Sequence, residues 1–232
     1  MASEQIERRL PEEALSLCLL LALAGGFLDG YTYLARGGVF ANAETGNMVL
    51  LGIRLLQGEY ARAGAYLVSV LSFALGIWGA EAIRAALESR GGLRWRQTTL
   101  GMEIAAVTLV AFLPKELDML ANCMVAFTSA MQIESFRRVE GNPYASTMCT
   151  GDLRSGTEQL FHCWQRRDRK AGRNAVDYYG VIAVFIVGAA SGVPAYEVLG
   201  LRACLVCSGL LLVSFVLLTV KAGRGKGDGG PR

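Results

Sequence analysis

The sequence predicts an all-helical (all-α) integral membrane protein: six transmembrane helices as a 3+3 inverted repeat, each half with a re-entrant loop and half-helix. Three observations carry this expectation. Of 232 residues, 53% are hydrophobic and only 19% are charged, whereas a soluble domain of this length has shorter apolar runs and more charge. The apolar residues gather into runs near bilayer length, roughly 20 residues each. The same polar interruption also occurs twice at one spacing. Thr45-Gly46-Asn47 follows Asp29 by sixteen residues, as Thr150-Gly151-Asp152 follows Glu134.

Taken in order, the runs are Ala14 to Ala35, Ala65 to Ala80 with a helical extension to Leu87, Thr98 to Leu113, Leu117 to Phe136, Val176 to Ala195, and Ala203 to Val220. All belong to a single membrane domain over 1–232, with one repeat at about 14–113 and the other at about 117–220. Met1 to Glu13 is polar and of mixed charge, and no cleavage site of small residues stands out after the first run, so a cleaved signal peptide is not expected. Residues 222–232, rich in Gly and Lys, read as a disordered tail.

The halves match beyond the two interruptions. Tyr31 aligns with Phe136 at the same offset as the polar breaks, and Tyr66, Phe73 and Gly76 align with Tyr178, Phe185 and Gly188 after a small gap. Basic residues orient the spans. With the N-terminus inside, 18 of the 23 Lys and Arg residues fall on the cytoplasmic side; Arg36, Arg54, Arg62, Lys115 and Arg202 fall outside. Both termini are therefore expected in the cytoplasm. Three spans per half is an odd number, so the second half runs opposite to the first.

The connections after the first and fourth spans do not read as ordinary loops. Met48 to Leu56 is too apolar for an ordinary loop, yet Gly46 to Leu56 as a helix rises only about 16 Å, half of a hydrocarbon core of roughly 30 Å. The extended stretch Arg36 to Glu44 reaches about 30 Å, enough to return to the midplane. The segment reads as a re-entrant loop and half-helix entered from outside. Asn142 to Cys149, then Gly151 to Trp164, is its more polar counterpart from the cytoplasm. Thr45 and Thr150 are expected as N-caps, with Gly46 and Gly151 permitting tight backbone beside them. Amphipathic surface helices or plain loops are the competing description.

Asp29 is the leading functional candidate. It follows fifteen uncharged residues and is flanked by Gly25, Gly26 and Gly30. A carboxylate inside a span is costly, so it faces a partner, a cavity or a proton path. Its structural alternative is a buried hydrogen-bonding anchor between glycine-packed helices. Glu134 has Arg137 and Arg138 at helical spacing, which makes an ordinary ion pair the competing role. The expected substrate- or ion-binding set is Asp29, Thr45, Gly46, Asn47, Glu134, Thr150, Gly151 and Asp152. Glu44 and Asp152 at the breaks favour a cationic or neutral solute, or proton coupling, over an anion, unless Arg36 or Arg154 turns inward. Glu103, alone in the third run, is either a further proton group or a bundle-facing side chain.

Other chemistry is thin. The only histidine is His162, which excludes a histidine cage for a metal, and Cys204-x-x-Cys207 lies in a clean apolar run where packing is the simpler role. No metal, cofactor or catalytic residue is expected, and no phosphate-binding loop, Ser-His-Asp set or nucleic-acid motif is present. Gly188 and Gly192 form G-x-x-x-G, with Gly76 and Ala80 at the matching places. That pattern serves close packing within a protomer or across a homodimer.

Gly25 to Gly30 (GGFLDG) followed by Gly38 to Asn47 (GVFANAETGN), and Met131-Gln132 through Arg137-Arg138 followed by Cys149 to Leu153 (CTGDL), resemble the two characteristic stretches of YoaK-type bacterial membrane proteins. The resemblance covers nearly the whole chain. It implies a six-span protein of the bacterial cytoplasmic membrane and brings no substrate, because the family is a domain of unknown function. Glu134 departs from its pattern, in which an amide or small residue is expected there. The function expected from the residues is transport of a small solute with proton coupling at Asp29. A passive channel, or a membrane-embedded enzyme or sensor using the same carboxylates, is the alternative. The chain itself is not expected to be an enzyme, and its partners are the lipid bilayer and a small molecule or ion.

Overall fold

The computed structural model describes residues 14–87, 92–139, 142–143 and 149–227. These residues are helical apart from short turns and one pairing of two-residue strands, Arg138–Val139 with Asn142–Pro143. The helices are α1 (Leu15–Ala35), α2 (Glu44–Leu56), α3 (Tyr60–Leu87), α4 (Gly92–Val110), α5 (Asp118–Ser135), α6 (Cys149–Arg166), α7 (Arg169–Leu199) and α8 (Cys204–Gly227). Each of the six apolar runs, and each of the two short segments between them, falls largely within one of these helices. α8 runs on to Gly227, into the stretch read as a tail, and residues 228–232 lie outside the described residues. So do Met1 to Glu13 and most of the extended segment expected before α6.

Three stretches are long and apolar enough to cross a membrane: Leu15–Ala35, Tyr60–Leu87 and Arg169–Val220. The last is broken at Gly200, whose positive φ of 58° ends α7 and leads through a 3-10 turn into α8. By this measure the chain is a membrane protein. α4 and α5 do not reach the same standard, and the reason is local. Arg94, Arg96 and Glu103 interrupt α4, while α5 turns Asn122, Thr128, Ser129 and Gln132 into the interior.

Packing follows the small residues. α1 and α7 lie side by side in parallel, Gly188 against Leu23 and Gly192 against Phe27 and Tyr31. A Cβ added at Gly26, Gly30 or Gly188 would collide with the carbonyl oxygens of Phe185, Ala189 and Leu23 respectively, all backbone atoms that cannot swing aside. The same happens between α3 and α5, where a Cβ on Gly76 would strike the Phe127 carbonyl. The glycines thus bring two helix backbones into direct contact, the usual device where lipid offers no hydrophobic drive. α2 folds back along α3 and α6 along α7, while α4 packs on α5 and α8, and α8 on α1. The main core lies among α1, α4, α5 and α8 around Phe27, Tyr31, Leu100, Val107 and Leu211. Outward faces are apolar, with Leu71, Leu75 and Trp78 on α3 and Ile186, Val187 and Val198 on α7 exposed. Apolar outward faces of that kind suit lipid contact.

Candidate functional site

The chain leaves α1 at Arg36, turns through Gly37 and Gly38 at positive φ, and runs back along α1 before α2 begins. Asp29 holds that return. Its Oδ1 accepts the Asn42 backbone N–H at 2.7 Å, and the amides of Ala41 and Ala43 also point at the carboxylate. Asn42 Nδ2 donates to the Gly25 carbonyl at 3.1 Å. A buried carboxylate facing successive backbone amides replaces the water those amides have lost.

Asn47 fixes the first turn of α2. Its Oδ1 accepts the Phe40 N–H at 3.0 Å, while Nδ2 donates to Phe40 O at 2.9 Å, Glu44 Oε2 at 3.0 Å and Ser69 Oγ at 3.4 Å. Ser69 Oγ in turn donates to Glu44 Oε1 at 3.2 Å. Ser69 lies nine residues into α3, about 14 Å along its axis. α6 is placed in the same manner. Gly156 packs on Tyr178, nine residues into α7, and Cys149 at its start lies seven residues beyond that contact.

Asp29 links the two halves electrostatically. Asp29 and Asp152 both act electrostatically on the Cys149 thiol, and Glu44 acts on Asp29. The structure therefore gathers Asp29, Glu44 and Asn47 from the first half with Cys149 and Asp152 from the second, and all three carboxylates are buried. The chief influences on Asp29 and Glu44 are burial and hydrogen-bond donors, with no lysine or arginine among them.

Several expected roles change. α2 begins at Glu44 behind Ala43, which makes no side-chain cap bond, so Thr45 is inside the first turn and exposed instead of capping it. Thr150 likewise lies in the first turn of α6, exposed together with Gly151. Gly46 rests against the Phe40 ring. Glu134 is not brought to the site. Its carboxylate pairs with Arg137 at 3.0 Å, one helical turn on, and its other ionic neighbour is Glu81. Arg154 faces outward beside Leu153, Thr157 and Phe161.

Arg36 also stays out of the site, for a reason the sequence did not signal. It is fully buried, bonding Tyr31, Asp118 and the last carbonyls before α5. Asn42 and Ser69 were missed as well. The only hint was the position of Asn42 just before the break. Glu103 lies apart from this cluster, fully buried and accepting from Gln132 Nε2 at 3.0 Å. Among the described residues no group of three or more His, Cys, Asp or Glu side chains could hold a metal ion. All six cysteines are free, and Cys204 and Cys207 are buried in the core.

The family model described as "Protein of unknown function (DUF1275)" matches residues 17–217. No curated protein and no solved structure matches the chain.

Proposed function

We propose that this chain, which belongs to the DUF1275 family of proteins of unknown function, moves a small cationic or neutral solute across the bacterial cytoplasmic membrane. In this reading its six spans form two inverted halves, with both termini cytoplasmic. α2 and α6 are half-helices entering from opposite faces. Asp29 is the residue that couples solute movement to an ion gradient, a proton gradient being the simplest. Membership of the family agrees with the YoaK-type resemblance and brings no activity of its own.

The observation that carries the reading is the buried carboxylate of Asp29, which holds the chain returning to α2 through the Asn42 N–H and lies within electrostatic reach of Cys149 at the start of α6. Irregular backbone at membrane depth persists where it is enclosed by protein or lines a cavity, and paired broken elements are the usual transporter site. Helix pairing supports the inverted arrangement. Exchanging α1 with α5, α2 with α6, α3 with α7 and α4 with α8 turns every major pairing into another one that is present. α4 and α8 pair with themselves under this exchange and run antiparallel, Gln97 reaching Thr219 at 3.0 Å and Thr108 reaching Ser208 at 3.1 Å.

The test is flux in liposomes against a panel of small cationic and neutral solutes. Wild type is expected to accumulate one of them under an imposed ion gradient. Asp29→Asn is expected to abolish accumulation while leaving part of the exchange of bound solute. Full gradient dependence retained in Asp29→Asn would remove Asp29 as the coupling residue. Downhill flux alone, with no gradient-driven accumulation in wild type, would make the same site a passive channel.

A further inference from the structure

We propose that Asp29 and Asn42 together bind one monovalent alkali cation, so that the ion acting at this site is a metal cation held by oxygen ligands. The inference deepens the transport reading and rests on its choice of the Asp29 region as the working site.

Two oxygens motivate it. Asp29 Oδ2 and Asn42 Oδ1 are buried and have no hydrogen-bond partner, while the other polar atom of each side chain is engaged. Asp29 uses Oδ1 for the Asn42 N–H, and Asn42 uses Nδ2 for the Gly25 carbonyl. The two residues are therefore fixed against each other, each with one unused oxygen. Buried oxygens lacking a donor are uncommon, and a bound ion is one species that accounts for them. A single ion between two residues already bonded to one another would account for both.

The chemistry of the donors selects the class of ligand. Carboxylate and amide oxygens are hard ligands that suit hard cations and offer nothing to an anion. Ligand supply selects the valence. Glu44 spends both oxygens on Asn47 and Ser69, which leaves Asp29 Oδ2, of these two carboxylates, as the oxygen free to coordinate. One carboxylate oxygen and one neutral amide oxygen suit a monovalent ion better than a divalent one, which draws on several carboxylates. The start of α2 contributes partial positive charge, which would oppose a cation. That opposition is offset, because Glu44 stands in the first turn and the amides ahead of the helix already face Asp29.

Purified full-length protein in detergent is unfolded thermally in NaCl, KCl, LiCl or choline chloride at equal ionic strength. At least one alkali chloride is expected to raise the midpoint saturably, by about 3 °C or more over choline, as a ligand bound only to the folded state does. Equilibrium binding of radiolabelled Na+, the probe used, should approach one ion per chain. Asp29→Asn and Asn42→Ala should each remove the shift, and Glu103→Gln, in a separate buried carboxylate, should keep it. If Asp29→Asn does not fold, Asn42→Ala decides. No difference between alkali and choline salts in wild type would overturn the proposal and leave a protonated Asp29 donating to Asn42. A shift that survives Asn42→Ala, or disappears in Glu103→Gln, would also overturn it by placing the ion elsewhere. A cation shift without flux in liposomes would retain this site and reject transport.

Discussion

A guanidinium with no access to water needs an acceptor for each of its five N–H groups, and Arg36 has five. Nε donates to Tyr31 Oη at 3.2 Å, Nη1 to Pro114 O at 3.3 Å and Asp118 Oδ1 at 2.9 Å, and Nη2 to Val110 O at 2.7 Å and Leu113 O at 3.0 Å. Three of those acceptors are carbonyls at and just beyond the end of α4, where a helix favours positive charge. The neighbours continue the network, with Tyr31 donating to Leu201 O at 2.8 Å and Asn122 to Arg36 O at 2.8 Å. One side chain thus ties α1 to the α4–α5 connection. Arg36→Met is expected to cost roughly 3–5 kcal/mol, because it strands the Asp118 carboxylate and three carbonyls. Arg36→Lys should recover little, since an ammonium has three donors and no planar fork. The check is the unfolding midpoint in detergent; a wild-type midpoint in Arg36→Lys would show that the fork geometry is immaterial.

Among the helices, the seams are set by glycine, and their cost is predictable from what a methyl group would meet. Gly188 sits against the Leu23 carbonyl and Gly209 has open space around it. Gly188→Ala must separate α1 from α7 and is expected to destabilise by about 1–3 kcal/mol or more. Gly209→Ala lies within α8 and should be neutral or slightly stabilising, as alanine favours helix over glycine. Equal midpoints for the two variants would contradict the direct backbone contact. α1 carries both Gly26 and Gly30 on this seam and Asp29 beside them. A wider seam should therefore also disturb the return of the chain to α2, and Gly188→Ala is expected to weaken the cation-dependent shift along with the fold.

For the molecule as a whole, topology is the decisive question. In the proposed topology, the 18-to-5 division of basic residues is expected to put the α3–α4 and α6–α7 connections in the cytoplasm and the α4–α5 connection outside. Cysteines introduced at Arg94 and Arg169, in a background cleared of native cysteines, are expected to resist an impermeant thiol reagent in intact cells. One at Lys115 is expected to react. Labelling at Arg94 from outside would reverse the orientation and the entry side of each short helix. α4 and α5 fall short of the bilayer standard by composition, yet each pairs with a helix that meets it or with the buried core. Several of their polar residues face inward: Thr99 bonds Ser135 at 2.8 Å and Gln132 bonds Glu103. Helices of this kind can sit at membrane depth because their polar groups bond to one another.

Hydrophobic runs and their polar interruptions are local properties of the chain, and the sequence by itself determined what depends on them. It located the helices, the short helices α2 and α6, the glycine faces and the unusual carboxylate at Asp29, because apolar length and periodicity need no knowledge of neighbours. It also determined family membership, through the GGFLDG and CTGDL stretches. The partners of each polar group were decided by tertiary structure alone. Glu134 and Asp29 occupy matching positions, but Glu134 finds Arg137 one turn away and leaves the site, while Asp29 finds the amides of 41–43. Arg36 reads as an ordinary external arginine until the end of α4, more than seventy residues further along the chain, supplies its acceptors. Thr45 reads as a cap until the Asp29 and Asn47 bonds start the helix two residues earlier. A buried hydrogen bond forms wherever folding brings a donor and an acceptor together, and spacing along a sequence does not encode which pairs will meet.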